Sequence, residues 1–210
     1  MGISIPGRVV VFDYGEVISV SPNDVDRAEI ENLAGVQHDG TRTAEFWTAY
    51  WKYRDGLDEG TTSIRDYWQR ISDELGQNWT EARIHSLWLA DFRSWLSVDE
   101  QTLEVIIELK RGGTRLALLS NAGRDFGSYF RHGTLSDLFE AFFVSGELGQ
   151  IKPGADIFHT ALSELGITAE QMVFIDNKEI NVEGARALGI TGHTFTGAGE
   201  LRAFLTQLAK

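Results

Sequence analysis

Residues 9–15 of the chain read Val-Val-Val-Phe-Asp-Tyr-Gly. The first four residues are β-branched or aromatic without interruption, and the segment then turns polar, which predicts a buried strand that runs into a turn. Further apolar runs lie at 115–119, 141–144, 172–175 and, more weakly, 191–195. Because a strand with one wet face would alternate in polarity, these continuous runs indicate a sheet that is covered on both faces.

Helical patterns separate the apolar runs. Residues 97–100 form the capping-box sequence Ser-Val-Asp-Glu, which predicts a helix that continues to Lys110. Two further helices are predicted over 152–165 and 182–188, each followed by a glycine. Strands that alternate with helices are typical of the α/β class, so we expect a Rossmann-like, doubly wound parallel sheet.

The segment between the first two strands has a different character. Residues 21–96 lack a convincing strand, contain helix starts near Ser21, Ser63 and Thr80, and hold all six tryptophans of the chain. We therefore predict an all-helical cap subdomain over 21–96, inserted into a core that is formed by residues 1–20 and 97–210.

Charge and composition narrow the function. The formal net charge is −12, and no basic stripe is present, so the surface repels nucleic acid and anionic lipid, and we expect neither as a partner. The chain contains no cysteine, which excludes disulfides and thiolate metal sites. No apolar run is long enough to span a bilayer and residues 1–6 lack a signal-peptide pattern, so we expect a cytoplasmic protein.

Polar clusters follow the apolar runs at four places. Each cluster alone is typical of an ordinary turn. In a doubly wound sheet, however, the carboxyl ends of the strands meet at one crevice, where ligands collect. We therefore expect the four clusters to lie together; they are Asp13-Tyr14-Gly15, Ser120-Asn121, Lys152-Pro153 and Asp176-Asn177.

The order of these clusters resembles the haloacid dehalogenase-like hydrolase superfamily. Residues 149–153 read Gly-Gln-Ile-Lys-Pro, and residues 174–189 read Phe-Ile-Asp-Asn-Lys-Glu-Ile-Asn-Val-Glu-Gly-Ala-Arg-Ala-Leu-Gly. The spacing within the second of these segments is the most specific part of the resemblance, which covers essentially the whole chain. The chain is similar to the subgroup with a helical cap after the first motif, which includes bacterial sugar-1-phosphate phosphatases.

The resemblance implies a phosphatase that acts on a small phosphorylated metabolite with Mg²⁺ as its cofactor. Asp13 would be the nucleophile and would form an aspartyl-phosphate. A hard cation takes oxygen ligands. By the same resemblance, the ligands would be Asp13, the backbone carbonyl of Gly15, Asp176 and Asn177.

Three further residues would bind or neutralise the phosphoryl group in this family. Ser120 and the adjacent backbone at Asn121 would donate hydrogen bonds to its oxygens near a helix start. Lys152 would act as a point charge that offsets the crowding of carboxylates and phosphate.

Two positions depart from the pattern of the family. Gly15 stands where most of these phosphatases have a second aspartate, which protonates the leaving oxygen and later activates water; Glu16 or a cap residue is a candidate replacement. Asn177 stands where an acidic residue is usual. Because affinity for the cation follows ligand charge, we expect Mg²⁺ to bind weakly.

The cap and the first turn supply candidate substrate contacts. Trp47, Tyr50, Trp51 and Arg54 share one face of a helix. That face is interpreted either as the cap's own core, with Arg54 reaching out from its edge, or as a wall over the crevice in which Arg54 binds a second anionic group. Tyr14 and Glu16, which flank the nucleophile's turn, are candidates for contact with the leaving group.

Two other functions remain open. A 2-haloacid dehalogenase keeps the nucleophilic aspartate but needs no metal. The acidic residue Asp176 argues against a dehalogenase, whereas the uncharged Asn177 and Gly15 make the case against it weaker. A non-catalytic binding protein that uses its aromatic cap as an interaction surface is the second. A phospho-accepting receiver domain is excluded, because its acidic pair comes first along the chain and no large cap is inserted.

Overall fold

The computed structural model describes residues 2–209 and contains a five-stranded parallel sheet. The spatial order is β3-β2-β1-β4-β5. The strands are β1 (Val9–Phe12), β2 (Arg115–Ser120), β3 (Ala141–Val144), β4 (Met172–Asp176) and β5 (Thr191–Thr194). This arrangement confirms the doubly wound α/β fold with a helical cap that the sequence predicts.

Helices fill every connection between the strands. Between β1 and β2 lie α1 (Asp24–Ala34), α2 (Gly40–Asp58), α3 (Ile64–Glu74), α4 (Glu81–Ser94) and α5 (Glu100–Arg111). The later helices are α6 (Asp125–His132), α7 (Ser145–Leu148), α8 (Ala155–Leu165), α9 (Glu179–Arg186) and α10 (Ala198–Leu208). None of the helices among residues 2–209 is both long and apolar enough to cross a bilayer.

The central strand β1 is buried on both faces. Val10 and Phe12 belong to an apolar cluster on the side of α5, α6 and α10. Val9 and Val11 point the other way, into a second cluster with residues of α8 and α9. This two-sided burial explains why the strand reads as an uninterrupted apolar run rather than an alternating one.

The register of β1 and β4 brings two carboxylates to the same edge of the sheet. Phe12 pairs with Ile175, and the amide of Asp13 donates to the carbonyl of Ile175 at 2.8 Å. Asp13 and Asp176 therefore both follow this last pair, at adjacent carboxyl ends where the strand order reverses direction.

The cap encloses an apolar cluster of its own. Its largest fully buried side chains, Phe46, Tyr50, Tyr67 and Trp68, come from α2 and α3. The chain leaves and re-enters the core side by side, since Val20 donates to the carbonyl of Ser97 at 2.9 Å. We propose this crossing as the boundary between a core of residues 1–20 and 97–210 and a cap of residues 21–96.

Several predicted helix starts need correction. Ser97 does not cap α5, because the bridge between Val98 and Ser19 lies between it and the helix; Asp99 is the N-cap and accepts from the Thr102 amide at 2.7 Å. The helix predicted from Lys152 begins at Ala155, since the Lys152 backbone is bonded elsewhere and a residue before proline disfavours helical geometry.

The remaining differences are small shifts. Asn23, two residues after Ser21, caps α1, whereas Ser63 and Thr80 cap α3 and α4 as predicted. The helix predicted from residue 182 begins three residues earlier, at Glu179.

Candidate active site

Lys152 lies between the two carboxylates at the sheet edge. Its Nζ is 2.9 Å from Asp13 Oδ1 and 2.7 Å from Asp176 Oδ2, and it also donates to the Leu119 carbonyl at 3.0 Å. All three charged side chains are buried. The sequence clusters that carry Asp13, Lys152 and Asp176 thus converge on one ionic group.

Burial and charge set the protonation of this group. Burial raises the pKa of Asp13 to about 6, although Lys152 opposes the rise and the Tyr14 amide donates to its carboxylate. Burial disfavours the charge of Lys152, but the two carboxylates together outweigh it and raise the lysine pKa above its ordinary value. Lys152 is therefore a stable cation.

One oxygen of Asp13 remains free for chemistry. Oδ1 accepts the hydrogen bonds from Lys152 and from the Tyr14 amide, whereas Oδ2 accepts none from residues 2–209. The carboxylate is thus held by one oxygen and presents the other to the crevice that it lines.

Asp176 is held more completely. Its Oδ1 accepts from the Lys178 amide at 2.8 Å, and its Oδ2 accepts from Asn181 Nδ2 at 3.0 Å as well as from Lys152. Asn181 is one turn into α9, so the start of this helix orients the carboxylate. Asn181 lies in the most specific segment of the sequence, yet the sequence analysis gives it no role.

Asn177 and Glu16 face each other across the mouth of the crevice. Asn177 Nδ2 donates to Glu16 Oε2 at 2.7 Å, and Glu16 Oε1 accepts from the Ser21 hydroxyl. The backbone of Glu16 is in the left-handed region, with φ of 57°. Asn177 Oδ1 is buried and accepts no hydrogen bond from the described residues. Because buried polar atoms normally have a partner, this oxygen is a candidate to coordinate a cation.

A cavity of about 220 Å³ lies between the core and the cap. From the core it is lined by Asp13, Gly15, Ser120, Asn121 and Asn177, and from α2 by Trp51, Arg54, Asp55 and Asp58. The lining residues from the core are among those that the sequence predicts at the site, and the structure brings them to one crevice. This volume is below the range of about 300–1,000 Å³ that is usual for ligand sites, so the cavity suits a small molecule.

The side chain of Asn121, on the cavity wall, is bonded to Lys152 through both of its polar atoms. Its Nδ2 donates to the Lys152 carbonyl, and its Oδ1 accepts from the Lys152 amide, both at 2.9 Å. The side chain is thereby committed to positioning the lysine. Ser120 is buried at the end of β2 and lines the cavity.

Tyr14 lines the cavity, but most of its side chain is buried in the core. Its ring packs against Phe126 and Phe130, and its hydroxyl donates to the Trp95 carbonyl at 2.9 Å. Burial raises the pKa of this phenol well above its ordinary value. Contact between Tyr14 and the leaving group stays a prediction, although the hydroxyl of Tyr14 already has a partner in the core.

Arg54 belongs to a buried ionic network in the cap. Its Nε donates to Asp58 Oδ1 at 2.9 Å, and its Nη1 donates to Asp91 Oδ2 at 3.1 Å and to the Tyr50 hydroxyl. This placement combines the two interpretations of the sequence: Arg54 is part of the cap's interior and also reaches the cavity wall.

Two residues where the cap meets the core, Asp58 and Ser145, are given no role in the sequence analysis. Asp58 ends α2 and is buried on the cavity wall. Ser145, at the start of α7, accepts from the Ala122 amide at 2.9 Å and donates to the Asp58 carbonyl at 2.5 Å. The only sequence signal that could have found Asp58 is its spacing, four residues after Arg54 along the same helix.

The oxygen atoms at the crevice suit a hard cation. The cavity wall offers the carboxylate of Asp13, the amide oxygen of Asn177 and backbone carbonyls, with no histidine or cysteine, and the carboxylate of Asp176 lies buried behind it beside Lys152. Within residues 2–209 no three histidine, cysteine or acidic side chains cluster as a metal site.

Comparison with known proteins now assigns the family. The sequence profile of the haloacid dehalogenase-like hydrolases matches residues 61–194, which is well over half of the chain. The chain therefore belongs to the haloacid dehalogenase-like hydrolase family, and the resemblance seen in the sequence is confirmed.

Individual relatives include a phosphatase and a dehalogenase. D-ribitol-5-phosphate phosphatase of Bacteroides thetaiotaomicron is 25% identical over 95% of this chain and 97% of its own. A crystallised enzyme of the same family from that organism superposes with a TM-score of 0.71 at 22% identity, covering 98% of each chain. L-2-haloacid dehalogenase of Xanthobacter autotrophicus superposes with a TM-score of 0.66 at 18% identity, over 89% of this chain and 76% of its own.

Proposed function

We propose that the chain is a Mg²⁺-dependent phosphatase that hydrolyses a small phosphate monoester through an aspartyl-phosphate on Asp13. The observation that carries the proposal is the ionic group at the sheet edge, where Lys152 joins Asp13 and Asp176. A phosphate dianion is attacked by a carboxylate only where positive charge offsets the repulsion, and Lys152 supplies such charge beside the nucleophile.

Asp13 is suited to act as the nucleophile. Its Oδ1 is fixed by Lys152 and the Tyr14 amide, so the free Oδ2 is the atom that attacks phosphorus. The new bond joins Oδ2 to phosphorus while the ester P–O bond breaks, and the alcohol leaves with a proton. Water then attacks the phosphorus of the aspartyl-phosphate, which releases inorganic phosphate and restores the carboxylate.

The metal would be held by Asp13, Gly15, Asp176 and Asn177. The unpartnered Oδ1 of Asn177 and the all-oxygen donor set support this assignment. When bound, Mg²⁺ supplies charge neutralisation at the phosphoryl oxygens and helps to orient the ester. Ser120 and the backbone at Asn121 would donate hydrogen bonds to the same oxygens.

The relatives support the choice of a phosphatase. One of them is named for the hydrolysis of D-ribitol 5-phosphate, which is a small phosphorylated metabolite. The family enzyme from Bacteroides thetaiotaomicron has also been crystallised with magnesium and inorganic phosphate, at a TM-score of 0.65 and 21% identity.

A dehalogenase remains the competing reaction. It would use Asp13 without a metal, so it gives no reason for the unpartnered oxygen of Asn177 beside a retained Asp176. The unpartnered oxygen of Asn177 and the retained Asp176 therefore favour the phosphatase.

The test is phosphate release from a panel of phosphorylated metabolites, measured with Mg²⁺ and with a chelator. We expect release that needs Mg²⁺ and that is abolished by Asp13→Asn. Chloride release from 2-haloacids in the presence of the chelator would assign the dehalogenase instead. Equal phosphate release by the native chain and by Asp13→Asn would refute the proposed mechanism.

A further inference from the structure

Asp58 is an acidic residue of the cap that shares the cavity with Asp13. Its side chain is 12% exposed, and its Oδ1 is held by Arg54 Nε at 2.9 Å. Its Oδ2 accepts no hydrogen bond from the described residues. Asp58 thus offers one unoccupied carboxyl oxygen to the cavity that contains the nucleophile.

The position of Asp58 is fixed relative to the core. Its carbonyl accepts the hydroxyl proton of Ser145, and Ser145 in turn accepts from the Ala122 amide, next to the proposed phosphate-binding turn. Two residues later the chain passes so close to Gly146 that a Cβ on Gly60 would lie 2.2 Å from the Gly146 carbonyl oxygen. The end of α2 is therefore anchored over the carboxyl ends of β2 and β3.

The surroundings of Asp58 favour a carboxyl group that can exchange a proton. Burial raises its pKa to about 6, and the guanidinium of Arg54 is the main opposing influence. Asp91 from α4 raises the pKa further and Lys178 from the start of α9 lowers it. A general acid and base works best with a pKa near the working pH.

The other candidates for the role of general acid and base are less suited to it. Gly15 has no side chain, and both carboxylate oxygens of Glu16 accept hydrogen bonds, from Asn177 and from Ser21. Asp55, one turn before Asp58, also lines the cavity but is exposed to solvent, so burial does not favour its protonated form.

We propose that Asp58 is the general acid and base of this active site and replaces, from the cap, the carboxylic acid that is missing at position 15. The proposal rests on the proposed phosphatase function. The protonated Asp58 gives its proton to the ester oxygen as the P–O bond breaks, so that an alcohol leaves. The resulting carboxylate takes a proton from the water that attacks the aspartyl-phosphate, which returns Asp58 to its acid form.

The experiment compares Asp58→Asn with the native chain on two esters. An alkyl phosphate needs protonation of its leaving oxygen, whereas nitrophenolate leaves without a proton. For Asp58→Asn we expect kcat/KM on the alkyl ester to fall by about 10²–10⁴. With p-nitrophenyl phosphate we expect a rapid burst of nitrophenolate, followed by slow turnover, as aspartyl-phosphate accumulates on Asp13.

Asp91→Asn is the matched control. It removes the other carboxylate partner of Arg54 but leaves Asp58 in place, and we expect it to preserve the ratio of alkyl to aryl rates. Asp58→Glu, which keeps an acid on a longer side chain, is measured beside it. If Asp58→Asn is unfolded at the assay temperature, Asp58→Glu decides: a lower alkyl rate relative to the aryl rate supports the assignment, and an unchanged ratio overturns it.

The assignment of Asp58 is also overturned if Asp58→Asn hydrolyses the alkyl ester at the native rate, or if both esters slow equally without a burst. These outcomes differ from a failure of the proposed function. In that case the native chain itself releases no phosphate from either ester in the presence of Mg²⁺.

Discussion

The side chain of Asn121 pairs with the backbone of Lys152 through two reciprocal hydrogen bonds, each 2.9 Å long. An amide side chain can do this because it carries a donor and an acceptor side by side, as a peptide unit does. The pair fixes the lysine backbone next to the turn after β2. The ammonium group consequently reaches Asp13 and Asp176 from a defined position.

Asn121→Asp should weaken this pair. A carboxylate accepts from the Lys152 amide but has no proton for the Lys152 carbonyl, so we expect a loss of about 1–3 kcal/mol in the free energy of unfolding. Urea unfolding at neutral pH measures the loss. Asn32→Asp, at an exposed position of α1, makes the same change of charge without a lost pair. Equal stability of the two variants would contradict the positioning role.

Asp58 should make stability depend on pH. Its pKa is about 6 in the folded chain and near 3.8 when unfolded, so the unfolded chain releases this proton first as pH rises. The contribution of Asp58 to stability is therefore present below pH 4 and is lost between about pH 4 and 6, on the order of 3 kcal/mol. Asp58→Asn lacks this titration.

The measurement is urea unfolding of the native chain and of Asp58→Asn at several pH values. We expect the stability of the variant relative to the native chain to rise with pH across that window and then to level off. Asp55→Asn, at the exposed neighbouring turn, serves as the control and should track the native chain. A constant difference between Asp58→Asn and the native chain would show that Asp58 does not titrate in this range.

Gly60→Ala should disturb the anchoring of α2. Both Gly60 and Gly76 have positive φ, 78° and 62°, so alanine costs roughly 1–2 kcal/mol of backbone strain at either site. Only Gly60 also lies against the Gly146 carbonyl, whereas a Cβ on Gly76 meets open space. We expect Gly60→Ala to lower the melting temperature and phosphate release more than Gly76→Ala. Equal effects of the two substitutions would mean that the close approach at Gly60 is unimportant.

Gly15→Asp should restore an acid at its usual place in the family. A Cβ at position 15 would lie 3.9 Å from the Trp95 ring, which is an ordinary contact, so the backbone leaves room for a side chain to begin there. In the Asp58→Asn background we expect Gly15→Asp to raise kcat/KM on the alkyl ester by about tenfold or more. Gly15→Asn in the same background is the control. If both double variants stay as slow as Asp58→Asn, an acid at position 15 does not reach the leaving oxygen.

Asn177→Asp should trade stability for metal affinity. A second carboxylate would face Glu16 across a contact that is now a 2.7 Å hydrogen bond. Without metal, the repulsion should lower the free energy of unfolding by about 1 kcal/mol. The added charge should also tighten Mg²⁺ binding. Calorimetric titration with Mg²⁺ and thermal unfolding measure the two effects. Glu16→Gln combined with Asn177→Asp returns a donor to the pair, so it should recover the lost stability. A failure of Asn177→Asp to tighten Mg²⁺ binding would argue against residue 177 as a ligand.

The sequence predicts the sheet and the convergence of its motifs well. A strand that is buried on both faces has to be apolar throughout, so the runs that contain Val11 and Phe174 stand out without any knowledge of the fold. Once the strands are parallel, the residues that follow them lie at one edge. The proximity of Asp13, Lys152 and Asp176 follows from that topology.

Side-chain partners are less predictable, because they depend on contacts between distant parts of the chain. The partner of Asn121 lies 31 residues away, and nothing local distinguishes a side chain that holds a lysine from one that faces a ligand. The ring of Tyr14 turns into the core because α6 presents aromatic residues there. Asp58 gains its place only when the cap helix docks on Ser145.

The separate apolar cluster of the cap has an evolutionary consequence. Its buried residues are distinct from those that pack against either face of the sheet, so exchanges among them leave β1 and its carboxylate undisturbed. Descendants of such a chain can change their substrate range while the residues of the proposed active site in the core stay the same. In directed evolution, libraries confined to the lining of α2, apart from Arg54 and Asp58, should therefore shift selectivity at little cost to the fold.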